Sequence, residues 1–276
     1  DYKPVWSPDG NELAFASNRY GNFDVFLMPA AGGKARRLTY HSANDFPTSF
    51  APDGTILFTA TRLDDPLNSQ FPSGGLPELY SVSKDRKLKQ VLTTPAEAAH
   101  WNTDQSKLIY QDKKGYEDDW RKHHTSSITR DIWLYDPATK GHSKITDFKG
   151  EDRNPIWSEA DQSFYYLSEE SGSFNIWKKS LDDAAKSQVS QHEKHPVRFL
   201  SRSNTGLLCY GFHGEIYTFE NGQSKKLAIR IQADENYNDL VYKSVANSVS
   251  EVAVSPNGKE IAFIARGEVF VTSVDY

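Results

Sequence analysis

The residues best able to do chemistry in this sequence are its histidines, its recurring acids and the basic residues of its longer loops. The segment from His192 to His195, His-Glu-Lys-His, is one residue short of the His-Glu-x-x-His pair that binds zinc from one helix face. His123 and His124 are adjacent, and adjacent residues rarely converge on one ion. We therefore expect neither a metal nor any other cofactor.

Sites built on a catalytic serine or a carboxylate pair are not indicated either. The sequence contains no Gly-x-Ser-x-Gly segment, which positions the nucleophile of α/β hydrolases. Acids recur at one position of a repeated segment, and a glycosidase pair would need two of them about 5 to 10 Å apart. We expect these acids to be structural, and we predict no catalytic residue in this chain. They are Asp24, Glu78, Asp131, Glu215 and Glu268.

The remaining candidates are basic and aromatic residues near loops, where a peptide could bind. Basic groups attract peptide carboxylates, and aromatic side chains are common in interfaces. Acids are interleaved with them, so a mixed solvated surface is the alternative, and Trp120 could equally anchor its loop. The candidate residues facing a peptide or a channel are His41, Arg62, His100, Trp120, Arg121, Lys122, His123, His124, Arg130, Arg153 and Arg198.

Composition argues against several classes of protein. Aromatic residues make up 13% of the 276 residues, which argues against disorder over most of the chain. No apolar run reaches the length of a membrane-spanning helix, so none is expected. The formal net charge of −5 argues against a nucleic-acid partner, and the single cysteine excludes an internal disulfide.

An internal repeat is expected to position the candidate residues. The segment Trp6-Ser7-Pro8-Asp9-Gly10 recurs at residues 50–54 and 254–258, with degraded copies led by Trp101, Trp157 and Phe199. Each copy precedes a β-rich run and then a polar–aliphatic–aromatic signature that begins with a recurring acid or with an asparagine. Most copies end in one more short strand. The spacing, roughly 42 to 56 residues, is typical of four-stranded propeller blades.

We therefore predict an all-β fold, a β-propeller of four-stranded antiparallel blades with six repeats, the last incomplete. Residues 1–228 should form five blades, and residues 229–276 a connector and a partial sixth repeat. That repeat either closes the ring or starts a second propeller. We expect the chain to be an excerpt of a longer protein.

The strands of a blade are lettered a to d from the axis outward. The short a–b and c–d turns should lie on one face of the propeller, and the more variable b–c and d–a loops on the other. Most of the candidate residues belong to that second face. Trp6, Trp101 and Trp157 share one repeat position and should pack between blades.

Several segments resemble those of a known family. Residues 4–10, 24–26 and 37–39 resemble the propeller repeat of TolB and of tricorn-type proteases. Three further stretches look like the N-terminal propeller region of tricorn-like S41-family serine peptidases. They are Leu38–Ser42, Trp120–His124 with Asp131–Leu134, and Ala265–Phe270.

The resemblance implies a non-catalytic propeller that gates or guides peptides for a serine-peptidase core further along the same protein. Its partners would be peptides or unfolded polypeptide, the other domains of that protease, and further copies of the full-length protein. The implied location is cytoplasmic, with an exported, periplasmic one as the alternative. Two other functions stay open: a TolB-like protein–protein interaction propeller without an enzyme, and the propeller of a prolyl-oligopeptidase-type hydrolase.

Overall fold

The computed structural model describes residues 1–62, 76–116, 118, 120, 125–230 and 244–275. Its contacts divide the chain into two compact units, Asp1–Ala228 and Ile229–Tyr276. Within the described ranges every regular element is a β-strand, and no helix that could cross a membrane is found. The predicted all-β fold is confirmed. Whether the second unit closes the ring or begins another propeller stays a prediction.

The first unit contains five antiparallel sheets, each with four strands in chain order. The second unit contains one sheet of three strands, so the sixth repeat lacks strand d among the described residues. The first two sheets comprise β1 (Tyr2–Trp6), β2 (Glu12–Tyr20), β3 (Asn22–Pro29), β4 (Arg36–Arg37), β5 (Asp45–Phe50), β6 (Ile56–Ala60), β7 (Glu78–Val82) and β8 (Leu88–Leu92). The third and fourth comprise β9 (Ala96–Trp101), β10 (Leu108–Asp112), β11 (Ile132–Asp136), β12 (Gly141–Lys144), β13 (Asp152–Trp157), β14 (Ser163–Ser168), β15 (Asn175–Ser180) and β16 (Lys186–Gln188). The fifth and sixth comprise β17 (Val197–Arg202), β18 (Leu208–Phe212), β19 (Glu215–Glu220), β20 (Gln223–Lys226), β21 (Val249–Val254), β22 (Glu260–Ala265) and β23 (Glu268–Ser273).

The five sheets of the first unit are arranged about an axis. The first strands of consecutive sheets contact one another in series, β1 with β5, β5 with β9, β9 with β13 and β13 with β17. The a–b turns of the fifth and first sheets also meet, because Asn204 Nδ2 donates a hydrogen bond to the Pro8 carbonyl oxygen at 2.6 Å. The sheets are therefore propeller blades, with strand a innermost.

Apolar side chains fill the spaces between neighbouring blades. Val25 of the first blade packs in one cluster with Phe58 of the second. Ile109 of the third blade packs with Phe164 of the fourth. Each buried side chain of this size contributes roughly 1.5–3 kcal/mol. The core therefore consists of separate apolar layers, one between each pair of consecutive blades. Each layer holds the inner strands of its two blades in place.

Two of the three tryptophans at the shared repeat position pack between blades as predicted. Trp157 is buried, and its indole N–H donates to the His100 carbonyl oxygen of the third blade at 2.9 Å. Trp101 is half-buried against the cluster that joins the second and third blades. The prediction is wrong for Trp6, which is 60% exposed. Alternation along the strand turns Trp6 away from the following blade, as it does Trp157, but no apolar cluster of the described residues includes Trp6.

The a–b turns are closed by hydrogen bonds within the repeated segment. The Gly10 N–H donates to the Ser7 carbonyl oxygen at 2.9 Å, and the Ser7 hydroxyl donates to Asp9 Oδ1 at 2.6 Å. Gly10 has a φ of +72°, a conformation that glycine adopts without steric cost. The same backbone bond closes the other five a–b turns, at Ala51–Gly54, Asn102–Gln105, Ser158–Asp161, Ser203–Gly206 and Ser255–Gly258.

The outermost strand of the first blade is shorter than the sequence predicts. The pattern predicts strand d at residues 37–39, whereas β4 comprises Arg36–Arg37. The ladder ends early because the Thr39 hydroxyl, instead of a backbone carbonyl, accepts the Val25 N–H at 2.9 Å. The same hydroxyl bond recurs in the third and fourth blades, between Ile132 and Thr146 and between Ile176 and Ser190.

Candidate functional site

The recurring acids at the start of strand c are bonded within their own blades. Asp24 is fully buried, accepts a hydrogen bond from the Thr39 hydroxyl at 3.3 Å and forms an ion pair with Arg37. Burial raises the pKa of Asp24 in spite of that arginine. Glu78 accepts a hydrogen bond from the Tyr80 hydroxyl at 2.7 Å. Glu78 also accepts a hydrogen bond from Gln90 Nε2 of β8 at 2.8 Å, so both acids join strands c and d of their blades, the structural role expected of them.

The His-Glu-Lys-His segment packs on aromatic rings. The His192 ring stacks on Phe212 with centroids 3.9 Å apart, and its Nε2 lies 2.9 Å from the Tyr210 hydroxyl. Burial lowers the pKa of His192. Among the described residues, no group of three or more His, Cys, Asp or Glu side chains is arranged to hold a metal ion. The other pair, His123 and His124, lies outside those residues.

Three of the candidate arginines are buried in ion pairs. Arg62 is 5% exposed, and two of its guanidinium nitrogens donate hydrogen bonds to the Asp45 carboxylate, with Nε 3.0 Å from Oδ1. Arg130 is equally buried, and its Nη1 lies 2.9 Å from Glu151 Oε1 and its Nε 3.4 Å from Glu97 Oε2. These charges are used inside the protein, where they join Arg62 and Arg130, at the ends of the b–c loops, to acids at or next to the inner strands.

Arg153 is the third buried arginine, and it joins a cluster that we call the Arg130 network. Its Nη1 lies 3.5 Å from Glu151 Oε1, and its guanidinium lies 4.1 Å from the centroid of the buried Phe174 ring. On the other side, Lys113 Nζ lies 3.0 Å from Glu97 Oε1. Burial acts to raise the pKa of Glu97, but the charges of Lys113 and Arg130 outweigh it and hold the pKa below its usual value. The network comprises Glu97, Lys113, Arg130, Glu151 and Arg153.

Asp152 lies beside the Arg130 network, and its carboxylate is stabilised by fewer contacts. It is 1% exposed, and its Oδ1 has no hydrogen-bond partner among the described residues. Burial raises its pKa to about 7, and the negative charges of Asp131 and Glu170 act in the same direction. At the same position of the second blade, Asp45 forms an ion pair with Arg62.

The two candidate histidines in the described ranges have structural contacts. His41 is half-buried, and its Nδ1 accepts the Ala43 N–H at 2.9 Å. His100 is half-buried at the inner strand of the third blade, under the indole of Trp157. Burial lowers the pKa of His100 to about 4. His100 is therefore neutral near pH 7 and cannot attract a carboxylate by its charge.

Two of the candidates meet, although they lie far apart in sequence. Arg198 Nη2 donates a hydrogen bond to the Trp120 carbonyl oxygen at 3.1 Å, and its guanidinium lies 4.8 Å from the Trp120 ring centroid. Phe199 meets the same ring edge-on at 6.0 Å. Trp120 is 66% and Phe199 69% exposed. This is an open aromatic and cationic cluster on the innermost strand of the fifth blade. The other candidates, Arg121, Lys122, His123 and His124, lie outside the described residues.

Phe199 was not among the candidates, because the sequence aligns it with the strand-a tryptophans. The pairing register corrects that alignment. Trp101 pairs with Leu108, whereas the residue that pairs with Leu208 in the fifth blade is Arg202. Phe199 instead lies at a β-bulge with a φ of +57°. Counting back from the turn would have revealed this, since the residue directly before the turn serine is Trp6 in the first blade and Arg202 in the fifth.

The chain is similar to proteins of one family. The family model described as the tricorn protease N-terminal β-propeller domain matches residues 1–225. The putative tricorn protease homolog 2 of Streptomyces coelicolor is 23% identical over 279 residues, which cover 97% of this chain and 23% of that protein. The chain therefore spans less than a quarter of the length of that relative.

Solved structures share the fold. The crystal structure of the tricorn protease matches with a TM-score of 0.75 and 18% identity, over 98% of this chain and 26% of that one. The structure of a putative TolB from Agrobacterium tumefaciens matches with a TM-score of 0.64 and 15% identity, over 82% of this chain and 79% of that one. At such identities these matches establish the architecture alone.

Proposed function

The chain belongs to the family of tricorn protease N-terminal β-propeller domains, and we propose that it is the non-catalytic propeller of a tricorn-like serine peptidase. In this role it guides peptide substrates or products to or from a catalytic core elsewhere in the same protein. Its partners are then peptides in an unfolded state and the other domains of that protease.

The observation that carries this proposal is the open cluster of Trp120, Arg198 and Phe199. An unfolded peptide offers side chains, backbone carbonyls and a terminal carboxylate. Aromatic rings and guanidinium groups bind all three, and both are enriched where proteins contact one another. The large exposed fractions of Trp120 and Phe199 leave the cluster open to solvent, so that a peptide can reach Arg198 and Phe199 on the inner strand.

Charge at the same end of the inner strands supports the proposal. Lys3 is exposed near the start of β1, and Arg198 lies near the start of β17, where in each blade the d–a loop enters the innermost strand. The arginines deeper in the blades are neutralised by Asp45 and Glu151. Lys3 and Arg198 lie at the ends of inner strands on this face, where a peptide carboxylate could reach them.

A binding measurement tests the role of this face. A fluorescein-labelled, unstructured peptide of twelve residues with acidic ends is titrated with the chain, and its anisotropy is followed at low and physiological salt. The double variant Lys3→Glu, Arg198→Glu should bind about tenfold more weakly, and the loss should shrink as salt screens the charges.

The matched control reverses two charges on the opposite face. Lys34 and Lys140 are exposed in c–d turns, so Lys34→Glu, Lys140→Glu changes the net charge equally and should leave the affinity unchanged. Equal weakening by both double variants would reduce the effect to net charge alone. If the wild-type chain binds no unfolded peptide, the proposed function is wrong.

Turnover in the full-length protein tests the link to catalysis. The Lys3→Glu, Arg198→Glu variant should slow the hydrolysis of long unfolded peptides, which must pass the propeller. Hydrolysis of a short chromogenic peptide should change less. A full-length protein without peptidase activity on either substrate would contradict the proposal.

A TolB-like interaction propeller is the second candidate. The observation that favours it is the match to the putative TolB, which covers about four-fifths of both chains. This alternative requires a folded protein partner and no bound peptide. Failure of peptide binding, together with a full-length protein that lacks peptidase activity, would favour it.

A further inference from the structure

The inner strand of the fifth blade has a feature that the equivalent strand of the fourth blade lacks. Arg198 pairs with Gly211 of β18, whereas Arg153 pairs with Leu167 of β14. A Cβ placed on Gly211 would come within 3.1 Å of the Phe199 ring, so this ring lies directly on the glycine backbone. The glycine therefore makes room for an aromatic ring that lies over the strand and presents its outer side to solvent.

Phe199 holds this position in an unfavourable backbone conformation. Its φ of +57° is uncommon for a residue with a bulky side chain. The same bulge with a positive φ recurs in the inner strands of three other blades, at Lys3, Ala98 and Asn154, so it belongs to the repeat and redirects whichever side chain it carries. Arg198 and Phe199 are adjacent and offer one guanidinium and one exposed ring to a partner, and we call this pair the Arg198 shelf.

Trp120 contacts the Arg198 shelf through two of its own groups, the indole ring and the backbone carbonyl. Its ring contacts the guanidinium at 4.8 Å and the Phe199 ring at 6.0 Å, and its carbonyl oxygen accepts from Arg198 Nη2 at 3.1 Å. A side chain and the carbonyl of the same residue are also what an aromatic residue of a bound peptide would offer. Trp120 thus contacts the shelf as a ligand residue would.

The exposure of Trp120 distinguishes it from the structural tryptophans. Trp157 is 6% exposed and its indole N–H has an acceptor, whereas Trp120 is 66% exposed. A side chain that keeps two-thirds of its surface in water loses little when it leaves its contacts. The Arg198 shelf can therefore exchange Trp120 for another aromatic residue at a small cost.

We propose that the Arg198 shelf binds an aromatic residue of a peptide, and that Trp120 occupies the shelf when no peptide is present. The ring of the peptide residue packs between the guanidinium and Phe199, and its carbonyl oxygen accepts from Arg198. This inference rests on the proposed function, because it names the residue class that the propeller recognises. Trp120 then competes with the peptide and lowers its apparent affinity.

The test compares three labelled peptides on the same chain. The first is Gly-Ser-Gly-Phe-Gly-Ser-Gly with fluorescein at its N-terminus, and the other two carry Leu or Gly in place of Phe. The wild-type chain should bind the Phe peptide about fivefold more tightly than the Gly peptide, with the Leu peptide closer to Gly. Trp120→Ala should tighten binding of the Phe peptide by about another fivefold and leave the Gly peptide unchanged.

Two further variants keep the result interpretable. Phe199→Ala should abolish the preference for Phe over Gly. Trp6→Ala removes an equally exposed tryptophan from another inner strand and should change nothing. The ratio of the two affinities on one variant cancels any loss of folded protein, and the urea midpoint of each variant is measured as well.

The outcomes separate this inference from the proposed function. If Trp120→Ala weakens the Phe peptide or leaves it unchanged, Trp120 is no competitor and the inference is wrong. If all three peptides bind with equal affinity, the shelf does not select aromatic residues, although the proposed function stands. If none of the peptides binds, and the acidic peptide of the previous test does not bind either, both fail.

Discussion

Arg153 and Arg198 occupy equivalent positions on the inner strands of the fourth and fifth blades, yet only Arg153 is buried. Each is the second residue of strand a, and each guanidinium lies over an aromatic ring. The ring under Arg153 is Phe174, a buried core residue, and Glu151 supplies a carboxylate at 3.5 Å. The ring at Arg198 is the exposed Trp120, contributed by a loop of the third blade.

The cause of this difference lies in the neighbouring residues. The residue opposite Arg153 is Leu167, a buried core residue, whereas the residue opposite Arg198 is Gly211, whose backbone is covered by the exposed Phe199 ring. In the fourth blade the arginine completes the packing of a closed network, and in the fifth blade it remains part of an accessible surface. A repeated strand can therefore supply stability in one blade and a binding surface in the next with the same residue type.

The largest expected difference between the two blades is in their arginines. Arg153→Ala should cost about 3–5 kcal/mol of unfolding free energy, because it opens a buried ion network and uncovers Phe174. Arg198→Ala should cost less than about 1 kcal/mol, since its contacts are with an exposed ring and one carbonyl. Urea titrations of both variants measure the two costs. Equal losses of unfolding free energy would mean that the different burial of the two arginines does not determine what they contribute to stability.

The next effect concerns the pH dependence of the fourth blade. The pKa of Asp152 is raised from 3.8 to about 7 in the folded protein, so folding favours the protonated acid. The stability that this provides is complete below about pH 4 and is lost as the pH rises to about 7. Asp152→Asn stays neutral, so its unfolding free energy should be close to that of the wild type at pH 4 and exceed it by about 4 kcal/mol at pH 8.

Urea titrations at pH 4, 6 and 8 check this prediction. Asp9→Asn is the control, because hydrogen bonds from Ser7 and Asn11 lower the pKa of the exposed Asp9 to about 2. Its folded state favours the ionised acid, so this variant should gain no stability at pH 8. A gain of stability at pH 8 in Asp9→Asn, or its absence in Asp152→Asn, would contradict the assignment.

The third expected difference concerns the residues at the ends of the two inner strands. Trp157 of the fourth blade and Arg202 of the fifth are equivalent by register, since they pair with Phe164 and Leu208. Trp157→Phe should cost about 2 kcal/mol, because it leaves the buried His100 carbonyl without its donor. Arg202→Ala removes an ion pair with Glu159 at 2.9 Å that is half open to water, and should cost less than about 1 kcal/mol. Thermal or urea unfolding would show the reverse order if Arg202 were the stronger link between blades.

The blades could be predicted from the sequence because local chemistry repeats. Each a–b turn is set by a few adjacent residues, such as the Ser7 hydroxyl and the Asp9 carboxylate, and each strand by alternating side chains. The predictions of the blades that were wrong also failed for local reasons. The repeat pattern does not show that the Thr39 hydroxyl ends strand d or that the side chain of Trp6 is exposed.

The candidate site was less predictable, because its contacts join distant residues. Loop position suggested that Arg62 and Arg130 are accessible, but Asp45 and Glu151 bury them as ion pairs. No spacing rule brings Trp120 to the fifth blade. Phe199 was obscured by a misplaced repeat, in which an aromatic residue at a bulge was aligned with the tryptophan that Arg202 replaces.

The smallest effect concerns the a–b turns that follow these strands. The fourth residue of the turn is Asp161 in the fourth blade, with a φ of +55°, and Gly206 in the fifth, with a φ of +91°. Gly206→Ala should cost about 1 kcal/mol, because alanine is strained in this conformation and its Cβ would displace the Glu159 carboxylate.

Asp161→Gly relieves the same kind of strain in the fourth blade but gives up a bond. Asp161 Oδ2 accepts the Thr103 N–H of the third blade at 2.8 Å, which links two neighbouring turns. The gain in backbone freedom and the lost hydrogen bond are each worth about 1 kcal/mol, so the net change in urea stability should be near zero. A clear gain in stability from Asp161→Gly would show that the link between turns contributes nothing. The contacts of Arg153 and Trp157 would then stabilise the fourth blade without a contribution from this turn.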